Sequence, residues 1–149
     1  MGRAFAAVIV GYITMFLVVV VGTYLAYRIM GGNQAFLPGK WEPSLRWVAV
    51  ASTLDLAAAI IGGWVCMKID RSPTRVYVLI GVVLVLGAVG TVLEMVKAAP
   101  TEPRTSGAFG FFEAMQKGHR PVWVSALYAV LAAIGVWIGG MATRRKSAA

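Results

Sequence analysis

Four long apolar stretches constrain this chain more than any other feature, because each is long enough to cross a lipid bilayer. They run over Ala4–Met30, Trp47–Met67, Val76–Val96 and Val122–Ala142. About 20 predominantly apolar residues in an α-helix cross the hydrocarbon core of a bilayer. The sequence therefore predicts an all-α protein, a four-helix transmembrane bundle in contact with lipid.

The length of the chain leaves little room for a second domain. Of its 149 residues, 59% are hydrophobic, and four spans of about 20 to 25 residues each take up most of the sequence. A soluble domain usually has about 50 to 250 residues. We therefore predict one transmembrane domain over residues 1–149.

The connections between the spans differ in length and character. The turn 69–74 is short and charged, which predicts an antiparallel hairpin of the second and third helices. Ser44 stands just before the second span, where a serine commonly caps a helix. In the longest connection, the apolar residues of Ala108–Lys117 fall at near-helical spacing. That spacing predicts a short amphipathic helix in the headgroup region, and an irregular loop with aromatic anchors is the alternative.

The spans show a weak internal similarity, in which the first resembles the third and the second resembles the fourth. The matches are Tyr12 with Tyr77, Gly22 with Gly87, Trp47 with Trp123, and Gly62-Gly63 with Gly139-Gly140. Two tandem hairpins related by an axis along the membrane normal would give this pattern. Coincidence is the alternative, since apolar helices draw on few residue types.

The basic residues predict how the chain lies in the membrane. The net charge is +8, and basic residues cluster at span ends, where they bind anionic headgroups rather than nucleic acid. Four spans place both termini on one side. That side holds Arg3, Lys68, Arg71, Arg75, Arg144, Arg145 and Lys146, and the other holds Arg28, Lys40, Arg46, Lys97, Arg104, Lys117 and Arg120. The first set lies in shorter segments, which predicts that both termini are cytoplasmic.

Asp55 is the strongest candidate for chemistry, because it lies near the middle of the second span. A charged side chain there costs at least about 2.5 kcal/mol. Ala51, Ala58 and Gly62 share its helical face. Small residues let another helix pack closely, so Asp55 should point into the bundle. There it is either a proton or cation site or a structural acid. The hydroxyl groups that could bond a structural acid are those of Tyr12, Thr14 and Thr91.

Glu94 is the second acidic residue within a span. It lies near the end of the third span at a depth similar to that of Arg28 in the first. This placement predicts an Arg28–Glu94 ion pair at the membrane edge. The alternative is that Arg28 reaches the headgroups while Glu94 lies in water.

The fourth span carries a G-x-x-x-G pattern. Its glycines are Gly135 and Gly139, and this spacing marks a face against which another helix packs closely. The partner is either a helix of the same bundle or a second copy of the chain. Internal packing is the favoured interpretation, because every helix of a four-helix bundle already has neighbours.

The composition gives no support to metal or covalent chemistry. The chain has one cysteine, Cys66, and one histidine, His119, whereas a disulfide needs two cysteines and a metal site needs several clustered ligands. No Ser/His/Asp set, phosphate-binding loop or dinucleotide fingerprint occurs in the sequence. We therefore predict a protein that is not an enzyme and has no metal or other cofactor.

Three glycine-containing segments carry a resemblance to a known class of protein. They are Gly11-Tyr12, Gly62-Gly63-Trp64-Val65 with Lys68, and Gly139-Gly140 with Arg144-Arg145. The chain resembles small bacterial four-span membrane proteins without an established activity. The resemblance covers most of the chain and implies a helical bundle in the bacterial inner membrane. It transfers no catalytic residue.

These features together predict an accessory or structural component that acts through helix contacts. Its partner would be a second copy of the chain or another membrane protein. The alternative is a proton-linked or small-molecule transporter that uses the intramembrane carboxylate of Asp55.

Overall fold

The computed structural model describes residues 2–97 and 110–146, with side chains up to Thr143. Within these residues the helices are α1 (Gly2–Met30), α2 (Gly32–Ala35), α3 (Leu45–Ile69), α4 (Pro73–Val96), α5 (Phe111–Lys117) and α6 (Val122–Lys146). The β-type pairing in the described ranges is a single bridge between Phe36 and Pro43. The prediction of an all-α protein is therefore confirmed for the described residues.

Helices α1, α3, α4 and α6 correspond to the four predicted spans. All four are long and apolar enough to cross a membrane, which indicates an integral membrane protein. Many of their large apolar side chains are exposed on the isolated chain. Such surfaces suit contact with lipid tails, which are as apolar as the side chains themselves. The ends agree closely with prediction, and the largest difference is the end of α6 at Lys146 rather than Ala142.

Ser44 caps the start of α3, as predicted. Its Oγ accepts a hydrogen bond from the backbone N–H of Trp47 at 3.2 Å and donates one to the carbonyl of Gln34 at 2.5 Å. The first N–H groups of a helix have no partner within the helix. This one side chain therefore satisfies such a group and ties α3 to the segment that precedes it.

We expect Ser44→Ala to lower the free energy of unfolding by about 1 kcal/mol, because loss of a capping serine typically costs that much. The unfolding midpoint in mild detergent, followed by circular dichroism, measures the effect. Thr53→Ala is the control, since the exposed Thr53 hydroxyl bonds only the Ala49 carbonyl of its own helix. An equal loss in both variants would contradict a specific role for the cap.

The long helices form a bundle with α3 and α6 at its centre. Helix α3 packs most extensively against α6 and α1, and α6 also packs against α4. The contacts of α4 with α1 and α3 are smaller. A short turn joins α3 to α4, and Arg75 Nε pairs with Asp70 Oδ2 across it at 3.1 Å. The predicted α3–α4 hairpin is thus joined by a tight turn, but α3 finds its main partners elsewhere.

Glycines bring the backbones of α3 and α6 together. Gly63 lies against the backbone of Val136, and Gly139 lies against the backbone of Ile60, so that a Cβ atom at either glycine would overlap these atoms. A Cβ atom at Gly135 would lie 2.6 Å from that of Ala59. Gly135 and Gly139 therefore face the interior of the bundle.

The small residues predicted to share the face of Asp55 are buried. Ala51, Ala58 and Gly62 all lie in the interior. A Cβ atom at Gly62 would overlap the Met15 side chain and lie 2.9 Å from the carbonyl oxygen of Gly11. This face of α3 therefore packs closely against α1.

An aromatic cluster covers one end of the bundle. The ring centroid of Tyr27 lies 6.1 Å from that of Trp47 and 5.6 Å from that of Phe111. Lys97 Nζ donates a hydrogen bond to the Gly118 carbonyl at 2.9 Å, which fastens the end of α5 to the end of α4. Helix α5 covers part of the segment in which a short helix was predicted, and its place in the headgroup region stays a prediction. Residues 98–109, which include part of that predicted segment, lie outside the described residues.

Candidate functional site

A partly open cavity of about 330 Å³ lies between the four long helices. Each of them contributes side chains to its wall, and one further residue comes from the segment just before α6. Most of the wall is apolar. The polar side chains that line the cavity are those of Tyr12, Asp55, Glu94, Arg120, Ser125 and Tyr128.

The two acidic residues of the cavity lie at different depths. Asp55 lies ten residues after Leu45, the first residue of α3. At 1.5 Å per residue, this is about 15 Å along the helix axis. Glu94 lies two residues before Val96, the last residue of α4. This is about 3 Å along the helix axis. Both distances are measured from the end of the bundle that carries the aromatic cluster. The cavity therefore joins a carboxyl group near the edge of the bundle to one near its middle.

One oxygen of each of these two carboxyl groups lacks a hydrogen-bond partner in the described part of the chain. Asp55 Oδ2 and Glu94 Oε2 are buried and have no hydrogen-bond partner among the described residues. A buried polar atom without a partner typically costs about 1–3 kcal/mol. Such groups in a native structure call for an explanation, and a ligand or proton site is one.

Arg120 supplies the positive charge of the cavity. Its side chain is exposed, and its guanidinium carbon lies 5.9 Å from the ring centroid of Tyr128. It lines the same cavity as the Asp55 carboxyl group. Arg120 further lines a smaller cavity of about 40 Å³ beneath the aromatic cluster. This side chain therefore stands between the main cavity and the covered end of the bundle.

If Asp55 had a structural role, a neighbouring hydroxyl group was expected to form a hydrogen bond with its carboxyl group. No such hydrogen bond is found among the described residues. Thr14 donates to the Val10 carbonyl at 2.7 Å, and Thr91 donates to the Gly87 carbonyl at 2.8 Å. Each hydroxyl has one proton to donate, and each uses it within its own helix. Tyr12 does line the cavity, but no hydrogen bond joins it to Asp55 in the described part of the chain.

Glu94 lines the cavity that Asp55 and Arg120 also line, whereas Arg28 does not. Arg28 is exposed and lies outside the cavity wall. Among the described side chains, the ion pairs are Arg75–Asp70 at 3.1 Å and Lys117–Glu113 at 3.2 Å. Glu94 therefore shares a cavity with a cation, but the cation belongs to the segment before α6.

Sequence reasoning did not single out Arg120, Ser125 or Tyr128. Arg120 was one of seven basic residues assigned to that side of the membrane, and its charge alone did not distinguish it. Within residues 2–97 and 110–146, no group of three or more His, Cys, Asp or Glu side chains is placed to hold a metal ion. The ionisable groups that line the cavity are two carboxyl groups, one guanidinium and two phenols.

Comparison of the chain with protein-family models, curated proteins and solved structures returned no match.

Proposed function

We propose that this protein is a non-enzymatic, proton-linked transporter of a small molecule, with Asp55 as the site that binds proton and ligand in turn. The observation that supports the proposal is that Asp55, Glu94 and Arg120 line one cavity. Ionisable residues inside membrane spans are costly and commonly mark proton or substrate pathways. Transport also needs polar groups at more than one depth, and Glu94 and Asp55 supply them.

The accessory role predicted from the sequence is the second candidate. It is favoured by the outer face of α4, where Gly81 and Ala88 are exposed and nothing lies within 4 Å of a Cβ atom placed on Gly81. Small residues on a lipid-facing surface allow another helix to approach closely. In this role the protein would act as a homo-oligomer or bind another membrane protein.

The proposal includes a placement in the bacterial inner membrane with both termini in the cytoplasm. Glu94 and Arg120 then lie at the end of the cavity away from the cytoplasm. In this placement α5 lies in the interface, since Phe112 and Met115 are exposed and could enter the headgroup region while Ala114 faces the bundle. Short amphipathic helices bind membranes in this way.

We also propose that the bundle is built from two tandem hairpins, α1 with α3 and α4 with α6. The α3–α6 contacts support this arrangement, because they are reciprocal. Gly63 meets Val136 and Gly139 meets Ile60. Gly63 and Gly139 are 76 residues apart, as are Ile60 and Val136 and also Trp47 and Trp123, which is one residue fewer than in the match of Gly62-Gly63 with Gly139-Gly140. Two related halves with a site between them are common in transporters.

The experiment that tests the transport proposal measures proton movement in proteoliposomes. A pH-sensitive dye is enclosed, and benzyltrimethylammonium, phenylalanine or benzenesulfonate is then added outside as a cation, a zwitterion or an anion. We expect at least one of them to drive proton movement with the wild-type protein. We expect Asp55→Asn to abolish this movement, because an amide cannot exchange a proton at this position.

Glu113→Gln is the matched control for that experiment. It makes the same chemical change in a carboxyl group outside the cavity, where Glu113 pairs with Lys117. We expect proton movement in this variant to equal that of the wild type. Absence of movement with all three compounds, or equal movement in Asp55→Asn and wild type, would overturn the transport proposal and favour the accessory role.

A further inference from the structure

The cavity contains a cation that belongs to the protein itself. The guanidinium carbon of Arg120 lies 5.9 Å from the ring centroid of Tyr128, within the distance of about 6 Å at which a cation is attracted to an aromatic face. Asp55 lines the same cavity as Arg120 and Tyr128. A ring face and a carboxyl group therefore share this cavity with one positive charge.

Few polar contacts hold the Arg120 side chain in the cavity. No ion pair or hydrogen bond joins Arg120 to Asp55 within the described residues, and Asp55 Oδ2 has no protein donor. The Arg120 side chain is exposed and extends from a segment outside the spans. Arginines that pair with a carboxylate frequently hold it through two parallel hydrogen bonds. This arginine makes none of them with Asp55, so it can leave its position at low cost.

We propose that the ligand of this cavity is a small organic monocation with an apolar body, and that Arg120 holds its position over Tyr128 until the ligand displaces it. This inference rests on the proposed function, since it takes the Asp55 cavity as the ligand site. The ammonium group of the ligand then lies between the Tyr128 ring and the Asp55 carboxylate. Arg120 swings outward, where its exposed end is solvated.

Charge balance favours a monocation over other ligands. With both carboxyl groups ionised, Asp55 and Glu94 outnumber the single guanidinium of Arg120 by one charge. Uncompensated charge is costly in a cavity whose wall is mostly apolar. A monocation that displaces Arg120 replaces its charge and keeps this balance, whereas an anion in its place would add a third negative charge. A zwitterion in its place would leave both carboxylates uncompensated.

Size and wall chemistry set the body of the ligand. A volume of about 330 Å³ lies at the lower end of the range for pockets that hold small organic molecules. Met15, Phe16 and Val83 supply apolar wall on α1 and α4. A ring-sized apolar group attached to an ammonium would fill this space. Glu94, nearer the end of the bundle, would attract the cation on its way in.

Equilibrium binding tests the ligand class separately from transport. The full chain is placed in nanodiscs of uncharged phosphatidylcholine, and benzyltrimethylammonium binding is measured by isothermal titration calorimetry. We expect Arg120→Ala to tighten binding about tenfold, because a competing internal cation is removed. We expect Asp55→Asn to weaken it at least about tenfold, because the counter-charge is lost.

Conservative substitutions at Tyr128 and Arg120 separate an effect on binding from an effect on folding. Tyr128→Phe keeps the aromatic face and should bind as wild type does, whereas Tyr128→Leu should bind more weakly. Arg120→Lys keeps the competing charge and should also resemble the wild type. Each variant is checked for a single symmetric peak in size-exclusion chromatography. Weaker binding of benzyltrimethylammonium in Arg120→Ala would overturn the inference, since it would mean that Arg120 attracts the ligand.

The ligand class and the transport proposal can fail independently. Tighter binding of phenylalanine or benzenesulfonate than of benzyltrimethylammonium would overturn the monocation inference while leaving Asp55-dependent transport intact. Binding of benzyltrimethylammonium with the expected variant pattern, but without proton movement in proteoliposomes, would uphold the ligand class and remove the transport proposal.

Discussion

Gly63→Ala is expected to lower the free energy of unfolding strongly, by about 3 kcal/mol. A Cβ atom at this position would overlap the backbone of Val136 in α6. Side chains can rotate away from an added methyl group, but a helix backbone moves only as a unit. The α3–α6 contact, the most extensive in the bundle, would therefore have to open. Gly139→Ala should have a similar effect, since it meets the backbone of Ile60 in the same manner.

Gly81→Ala is the matched control for these two variants. Gly81 also lies within a long apolar helix, but nothing is found within 4 Å of a Cβ atom placed there. We expect it to unfold at or above the wild-type midpoint, because alanine favours a helix over glycine by about 1 kcal/mol in water. Unfolding midpoints in one mild detergent provide the comparison. Equal midpoints for Gly63→Ala and Gly81→Ala would show that α3 and α6 do not approach each other as closely as the structure indicates.

The spans and their ends could be predicted because the bilayer imposes them. A fixed thickness of hydrocarbon requires a fixed length of apolar helix, and polar residues outside that length mark the ends. Ser44 was predictable for a similar reason, since a capping serine acts on its own helix. The short helix α2 had no such signal. It follows the turn at Gly31, whose φ of 75° suits glycine, and its four residues are too few to show periodicity.

The neighbours of each helix could not be predicted in the same way. A water-soluble helix shows which face is buried by its polar and apolar stripes, but these helices are apolar on nearly every side. The turn between Ile69 and Pro73 suggested that α3 and α4 pair. The structure shows that close backbone contact at Gly63 and Gly139 gives α3 a more extensive partner in α6. In lipid, small residues indicate contact better than hydrophobicity does.

Of the charged residues in the candidate site, Asp55 could be predicted from the sequence and Arg120 could not. Asp55 stands out because a charge inside an apolar stretch is rare and costly. Arg120 does not, because basic residues at span ends are ordinary. Equal depth in the membrane suggested Arg28 as the partner of Glu94, but depth does not specify the face of a helix. Helices α1 and α4 make a small contact, and Arg28 lies outside the cavity that Glu94 lines.

Asp55→Leu is expected to raise the unfolding midpoint while it abolishes proton movement. Asp55 Oδ2 is buried without a hydrogen-bond partner among the described residues, and relieving one such group typically stabilises a protein by about 1–3 kcal/mol. A leucine at the same place would contact the apolar wall of the cavity instead. Asp55→Asn should leave the midpoint near that of the wild type, because an amide is also polar and also lacks partners there.

Ala57→Leu separates this effect from a general gain in apolar surface. Ala57 is exposed on α3, two residues from Asp55, so that a leucine there would only extend the lipid-facing surface. We expect its midpoint to rise less than that of Asp55→Leu. If Asp55→Leu instead unfolds several degrees below the wild type, the carboxyl group holds the bundle together and its role is structural. If it unfolds higher and transports nothing, the protein keeps a costly acid inside the membrane for function, since selection for stability alone would have removed it.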